Sequence, residues 1–399
     1  MKKNLILLSH GLHSYVGHEY TYTKYLKVGL SDKYNIIILS RKDIHKDIEI
    51  ELTALPVFSK VKYNQDQNIF KKVVALIRRE IKWFFEFRKF MKEYVKRHSV
   101  GEGTVLYIHT VSIYNVWSWV FHTKWLASRN IKSYITLRYS SYLLPRRLRS
   151  VYYKLLTMFD NRTVAFSTDT LVLANDLYRK ANKEVHVLPV PFAERSYGAL
   201  SIDSGKDHIN VSYIGAARYD KGFHLLPKII EEAIQHYGPK VKFTIQASVS
   251  GVGYLESQCE SAYLSIIDLQ HLHPQSIRVI EGDLSDQEYY SLVLSSDIIL
   301  LLYEGMTYKE QSSGILIEAG SMAKPVVYPS NTWIQSEIEE LQAAGVFYCG
   351  EKSPYYALKE LIDNYDEYKN IAEKSRSKFL GKHNVKAFIS SVKTMMGRY

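Results

Sequence analysis

The stretch DIILLLYEGMTYKEQSSGILIEAGSMAKPVVYP, residues 297–329, decides the fold of this chain. An apolar run from Ile298 to Leu302 has the length of a buried strand and ends in a polar loop. A helix-prone segment opens at Gly314, and a second short strand, Val326–Tyr328, follows Lys324 and Pro325. Strand, helix and strand in that order make a unit of a parallel sheet. Two carboxylates, Glu310 and Glu318, bracket the loop-to-helix turn with seven residues between them. A helix N-terminus there offers backbone N–H groups and a positive dipole end to a diphosphate. The two carboxylates can each accept hydrogen bonds from adjacent hydroxyls, one pair on a sugar and one on a ribose. The same spacing also suits an ordinary βαβ unit with two surface glutamates.

A second block lies upstream, VSYIGAARYDKGFHLLPKIIEEA at residues 211–233. It reads as a strand, a loop with Gly215, Arg218, Lys221 and Gly222, then a helix. Between the two, IRVIEGDLSDQEYYSLVLSSDIILLL at 277–302 reads as strand, short helix and strand. Taken together, the blocks resemble the donor domain of retaining GT-B glycosyltransferases, in particular the large family 4 of nucleotide-sugar-dependent enzymes. The resemblance covers residues 209–350 well and the N-terminal half loosely. It implies an α/β chain with two Rossmann-like parallel-sheet domains facing a central cleft. The implied division is an acceptor-binding domain at 1–193, a linker at 194–208 and a nucleotide-sugar-binding domain at 209–374. A C-terminal helix at 375–399 would cross back to the N-terminal domain.

Residue by residue, the resemblance assigns Arg218 and Lys221 to the donor diphosphate, where they stabilise charge on the leaving nucleotide. The gap between these two is shorter than in many relatives. Glu310 would face the donor sugar and Glu318 the ribose, while Gly215, Ser312, Ser313 and Gly314 complete the donor contacts. Glu304 is a rival for the first acid, although it lies fourteen residues before Glu318. Gly17, in Gly17-His18-Glu19, resembles the glycine-containing loop that meets the donor phosphate or the acceptor; ordinary helix initiation reads equally well. Relatives often carry a histidine at the end of the strand that here reads SYITLRYSS, and this chain has Arg138 there. Either Arg138 contacts sugar or phosphate, or His109 at the end of the neighbouring strand faces the cleft instead. Retention of configuration and independence of metal are implied by the family. No cofactor is expected beyond the donor substrate, with UDP favoured over GDP.

Composition bounds the rest. At 399 residues the chain has room for two cores. No apolar run is long enough to cross a bilayer, and MKKNLILLSHG reads as a first buried strand rather than a signal peptide. Cys259 and Cys349 lie far apart without metal-ligand spacing, which suggests a reducing, cytoplasmic setting. An excess of 52 Lys+Arg over 41 Asp+Glu favours anionic partners. No nucleic-acid motif accompanies it, so nucleic acid is not expected as a partner. An anionic substrate or the inner face of the plasma membrane fits better.

Residues 69–97, IFKKVVALIRREIKWFFEFRKFMKEYVKR, read as one long amphipathic helix with apolar Ile69, Val73, Leu76, Ile77, Ile81, Phe84, Phe85 and Phe87. It either packs on the N-terminal sheet with a solvated face or lies on anionic lipid, with the basic segment 145–153 adding to the patch.

Elsewhere, strands are expected at Asn4–Ser9, Asn35–Leu39, Thr104–His109, Ser133–Leu137, Thr170–Leu173 and Glu184–Leu188. In the second half they are expected at Ile209–Ile214, Val241–Gln246, Ile277–Ile280, Asp297–Leu302 and Pro325–Tyr328. The functional expectation is transfer of a sugar from a nucleotide donor to a hydroxyl of a bacterial surface glycan or lipid-linked acceptor. A nucleotide-sugar epimerase using His224 or Asp220, and a non-catalytic sugar-nucleotide-binding module, are the alternatives.

Overall fold

The computed structural model describes residues 2–15, 18–60, 69–97, 103–111, 113–193, 207–248, 257–350 and 353–398. Two compact units result, one formed by 1–191 with 385–399 and the other by 192–384. The stretch 194–206, most of the expected linker, and Gly17 lie outside the described residues.

The first unit is built on seven parallel strands: β1 (Lys3–Leu8), β2 (Tyr34–Arg41), β3 (Ala54–Phe58), β4 (Val105–Val111), β5 (Lys132–Leu137), β6 (Val164–Thr168) and β7 (Val185–Val187). They lie in the order β3-β2-β1-β4-β5-β6-β7. Continuous apolar runs are needed because helices cover both faces. Alternate side chains of β1 show this directly. Ile6 and Leu8 join one core with the helices Ile69–Arg97, Val116–Ala127, Arg146–Thr157 and Leu171–Ala181. Leu5 and Leu7 join the other, with the helices His18–Leu30, Lys46–Leu52 and Val385–Gly397.

The second unit has six parallel strands: β8 (Ile209–Tyr213), β9 (Val241–Ala247), β10 (Ile277–Glu281), β11 (Ile298–Leu300), β12 (Val326–Pro329) and β13 (Gly345–Tyr348). Their order is β10-β9-β8-β11-β12-β13. In each sheet the chain winds outward from one central strand and then returns to continue on its other side. The reversal falls between β1 and β4 in the first unit and between β8 and β11 in the second. Ligands of open α/β sheets bind beyond the strand C-termini at such a reversal.

Three differences from the sequence reading have local causes. Thr170–Leu173 is no strand: the Thr170 side chain accepts a hydrogen bond from the Leu173 N–H and caps the Leu171–Ala181 helix. The strand there is β6, a five-residue VAFST followed closely by the apolar first turn of that helix. Strands β3 and β13 sit at sheet edges, where Pro56 and Gly345 break the apolar pattern. Residues 375–399 are not one helix. Tyr365–Lys382 ends at His383, and Val385–Gly397 packs within the first unit, where Ile389 lies so close to Gly29 that a methyl there would sit 2.5 Å from it.

Candidate functional site

In the second unit the loops after β8 and β11 meet at the reversal point. Backbone geometry forces their closeness. Gly222 has φ +73°, and a Cβ there would sit 1.8 Å from the carbonyl oxygen of Leu302. Only glycine fits. Gly215, at φ +116°, is crowded by the Lys221 Nζ and by Ile315, and its N–H donates to Gln246 Oε1 at 2.9 Å. The Glu304 N–H donates to the Asp220 carbonyl at 2.8 Å and ties the loops together.

These constraints place the charges. Arg218 ion-pairs with Asp220, its Nε donating at 2.8 Å. Lys221 lies behind it, half-buried, its amine 5.9 Å from the centre of the Tyr303 ring. Burial, and then the charge of Arg218, push the Lys221 amine down to about 8, against the pull of Asp220 and Glu318. Among the described residues no carboxylate lies within ion-pairing distance of this amine. Glu318, within electrostatic reach of Lys221, accepts a hydrogen bond from Tyr289. Burial, then Glu318, raise the Tyr289 phenol well above its ordinary range, so it stays a donor.

The Gly314–Ser321 helix is capped by Ser313, whose Oγ accepts from the Leu316 N–H at 3.2 Å and lies 3.2 Å from the Tyr303 hydroxyl. Ser312 stands just before this cap and Glu310 is buried in the preceding loop. Glu304 is committed elsewhere: its carboxylate accepts from the Met306 and Thr307 N–H groups and closes the turn. The structure therefore gathers Gly215, Arg218, Lys221, Gly314 and Glu318 at one strand-end. Gln246 and Tyr289, which no motif announces, support them.

A different cluster occupies the reversal point of the first unit. His109, near the end of β4, is wholly buried and stacks on Tyr22 at 4.9 Å, with its Nε2 3.8 Å from Glu19 Oε2. Glu19 accepts from Ser9, which in turn accepts from Thr23 at 2.9 Å. Burial pushes the Glu19 carboxyl up, opposed by Ser9 and Arg138. Arg138 follows β5, pairs with Asp169 and lies 4.2 Å over the Tyr22 ring. Burial works against its charge, but Asp169 and Tyr22 hold it protonated. Asp169 was invisible to sequence reasoning because a single Asp after a strand carries no spacing signal.

Among the described residues no group of three or more His, Cys, Asp or Glu side chains is arranged to hold a metal ion. None of their helices is long and apolar enough to cross a membrane.

No protein-family model matches the chain, and no curated protein matches it in sequence. Solved structures do match in fold. A glycosyltransferase from Rickettsia africae superposes with TM-score 0.68 at 14% identity, covering 99% of this chain and 98% of that one. A sucrose-phosphate synthase from Thermosynechococcus elongatus gives 0.70 at 13% identity, covering 100% and 99%. Anabaena HepE in complex with UDP gives 0.68 at 11% identity, covering 99% and 100%. The chain has the GT-B fold.

Proposed function

We propose that the chain transfers a sugar from a nucleotide-sugar donor to a hydroxyl of a bacterial surface glycan or lipid-linked acceptor. The observation that carries this reading is Lys221, a half-buried, desolvated amine without an ion-paired carboxylate among the described residues, beside Arg218 at the reversal point of the second sheet. A diphosphate would supply the direct counter-charge that the Lys221 amine lacks. It also meets the N-terminus of the Gly314–Ser321 helix. Glu318, oriented by Tyr289, accepts from the ribose hydroxyls, and Glu310 from the donor sugar. As the bond from sugar to phosphate breaks, negative charge grows on the leaving phosphate between Arg218 and Lys221. Stabilisation there acts mainly in the transition state. The phosphate accepts the acceptor's proton in a front-face departure, with retention, so neither glutamate needs to be a nucleophile.

In the first unit, Arg138 and His109 act on the acceptor side, held in place by Asp169 and Tyr22. The donor nucleotide is UDP in preference to GDP, a choice supported by fold neighbours whose names include UDP or UDP-glucose. The chain works in the cytoplasm, on the inner membrane face. An epimerase draws no support: Asp220 is paired with Arg218, and His224 lies stacked 4.0 Å from Tyr219.

Incubation with UDP-sugars tests the reading. Slow release of UDP is expected, reduced about a hundredfold by Arg218→Ala and lost in Glu310→Gln. Binding of UDP without hydrolysis in the wild type, in the presence of candidate acceptors, would leave only a binding module.

A further inference from the structure

The Ile69–Arg97 helix has two apolar faces, and the sheet uses only one. Phe87, Met91 and Tyr94 point inward and are buried in the core. On the opposite side Ile77, Ile81 and Phe85 project outward, with Phe85 64% exposed. A helix that merely covers a sheet needs a single apolar stripe. The outward stripe does not stand alone. Phe84 stacks on Trp117 of the Val116–Ala127 helix at 5.9 Å, and Arg88 lies 4.5 Å over Trp125. The two helices are therefore in register side by side, and the next helix exposes Phe121 at 53%. The Arg146–Thr157 helix packs against Val116–Ala127 and contributes exposed Leu148 and Val151. Three adjacent helices thus present large apolar side chains on one outer layer.

Charge identifies the occupant. The exposed neighbours of these residues on the first helix are Arg78, Lys82, Lys89 and Lys92. Its acids are mostly withdrawn: Glu80 is buried against Arg79, and Glu86 binds Ser59 and Lys42. The Arg146–Thr157 helix has no acid at all and exposes Arg146, Arg147 and Lys154. A second copy of this chain would bring the same cations against themselves and be repelled. An anionic bilayer complements both features, since apolar side chains enter the headgroup boundary while the cations meet lipid phosphates.

We propose that this outer layer docks on an anionic phospholipid surface through Ile77, Ile81, Phe85 and Phe121, with Leu148 and Val151 at its margin. The inference deepens the membrane-side part of the proposed function, but it stands on residues separate from the donor site. Each cation near such a surface raises partition roughly fivefold. The layer as a whole needs no spanning helix.

Vesicle flotation of the full chain, without donor, tests it. Recovery is expected with equimolar phosphatidylcholine/phosphatidylglycerol vesicles and not with phosphatidylcholine alone, and it should fall as salt is added. The double variant Phe85→Asp/Phe121→Asp is expected to lower recovery about tenfold or more while UDP binding stays unchanged. Equal recovery on both compositions overturns the proposal, as does full recovery of the variant. Should that variant unfold, Lys82→Glu/Lys89→Glu decides the matter: loss of flotation supports docking, and retention overturns it. A concentration-dependent dimer in light scattering, abolished by the same substitutions and without flotation, assigns the face to a second copy and overturns the lipid. Because flotation is read without donor, a missing transferase activity would sink the proposed function and leave this result standing.

Discussion

The two sheets reverse direction at equivalent places, yet they treat charge there in opposite ways. At the β1/β4 reversal, Arg138 is matched by Asp169, and Glu19 by Ser9 with His109 nearby. At the β8/β11 reversal, Arg218 has Asp220, but Lys221 is half-buried without an ion-paired carboxylate among the described residues, and its amine is pushed down to about 8. One cluster closes its charges by direct contact; in the other, Asp220 and Glu318 act on Lys221 only from a distance. Folding energy alone gives no reason to keep such a lysine, because a buried charge is costly. An anionic ligand does. The contrast separates a charge cluster that organises its unit from one that awaits a partner.

Breaking the balanced cluster has the largest expected effect. Asp169→Asn leaves Arg138 buried without its counter-charge and should destabilise the protein by about 3–5 kcal/mol in urea denaturation. A loss below about 1 kcal/mol would mean the pair is solvated and the contrast is false.

Breaking the unbalanced cluster should do the reverse. Folded Lys221 titrates near 8 and the unfolded amine near 10.5. Below pH 8 both are protonated, and the folded state bears the penalty of the desolvated cation, at most about 3 kcal/mol. Between these two values the unfolded chain binds more protons, so stability rises with pH across that window. Lys221→Met is therefore expected to stabilise the ligand-free protein at pH 7 by up to about 3 kcal/mol and to erase its rise above pH 8, while UDP affinity collapses. A destabilised variant, or one that binds UDP normally, would show that Lys221 is an ordinary structural residue.

How much of this was legible in sequence follows the same physics. Parallel strands buried on both faces are nearly continuous apolar runs, so β1, β4, β8 and β11 could be read, whereas the strand order that makes the reversals came only with the structure. Edge strands β3 and β13 lack that continuity. The short β6 was displaced in the reading by the apolar first turn of the helix that follows it. In the second unit Lys221 and Gly222 stand together in sequence because Gly222 must pass the Leu302 carbonyl, so local geometry leaves a local trace. Asp169, Gln246 and Tyr289 reach their partners across 31, 31 and 29 positions of chain, and such pairings leave none. The long helix at 69–97 was legible as amphipathic, but not as two-faced. Phe84, Phe85 and Phe87 were grouped by spacing on one apolar face, but Phe84 and Phe87 turn toward neighbouring helices and the core, whereas Phe85 faces out.

The smallest effect is the most direct test. Calorimetric titration with UDP, whose terminal phosphate is ionised throughout, should show affinity about tenfold weaker at pH 9 than at pH 7. Binding at pH 9 should take up close to one proton as Lys221 is recharged by the diphosphate, read from the dependence of the heat on buffer ionisation. Affinity that is flat from pH 7 to pH 9, with no proton exchanged, would contradict the claim that this lysine waits for a phosphate.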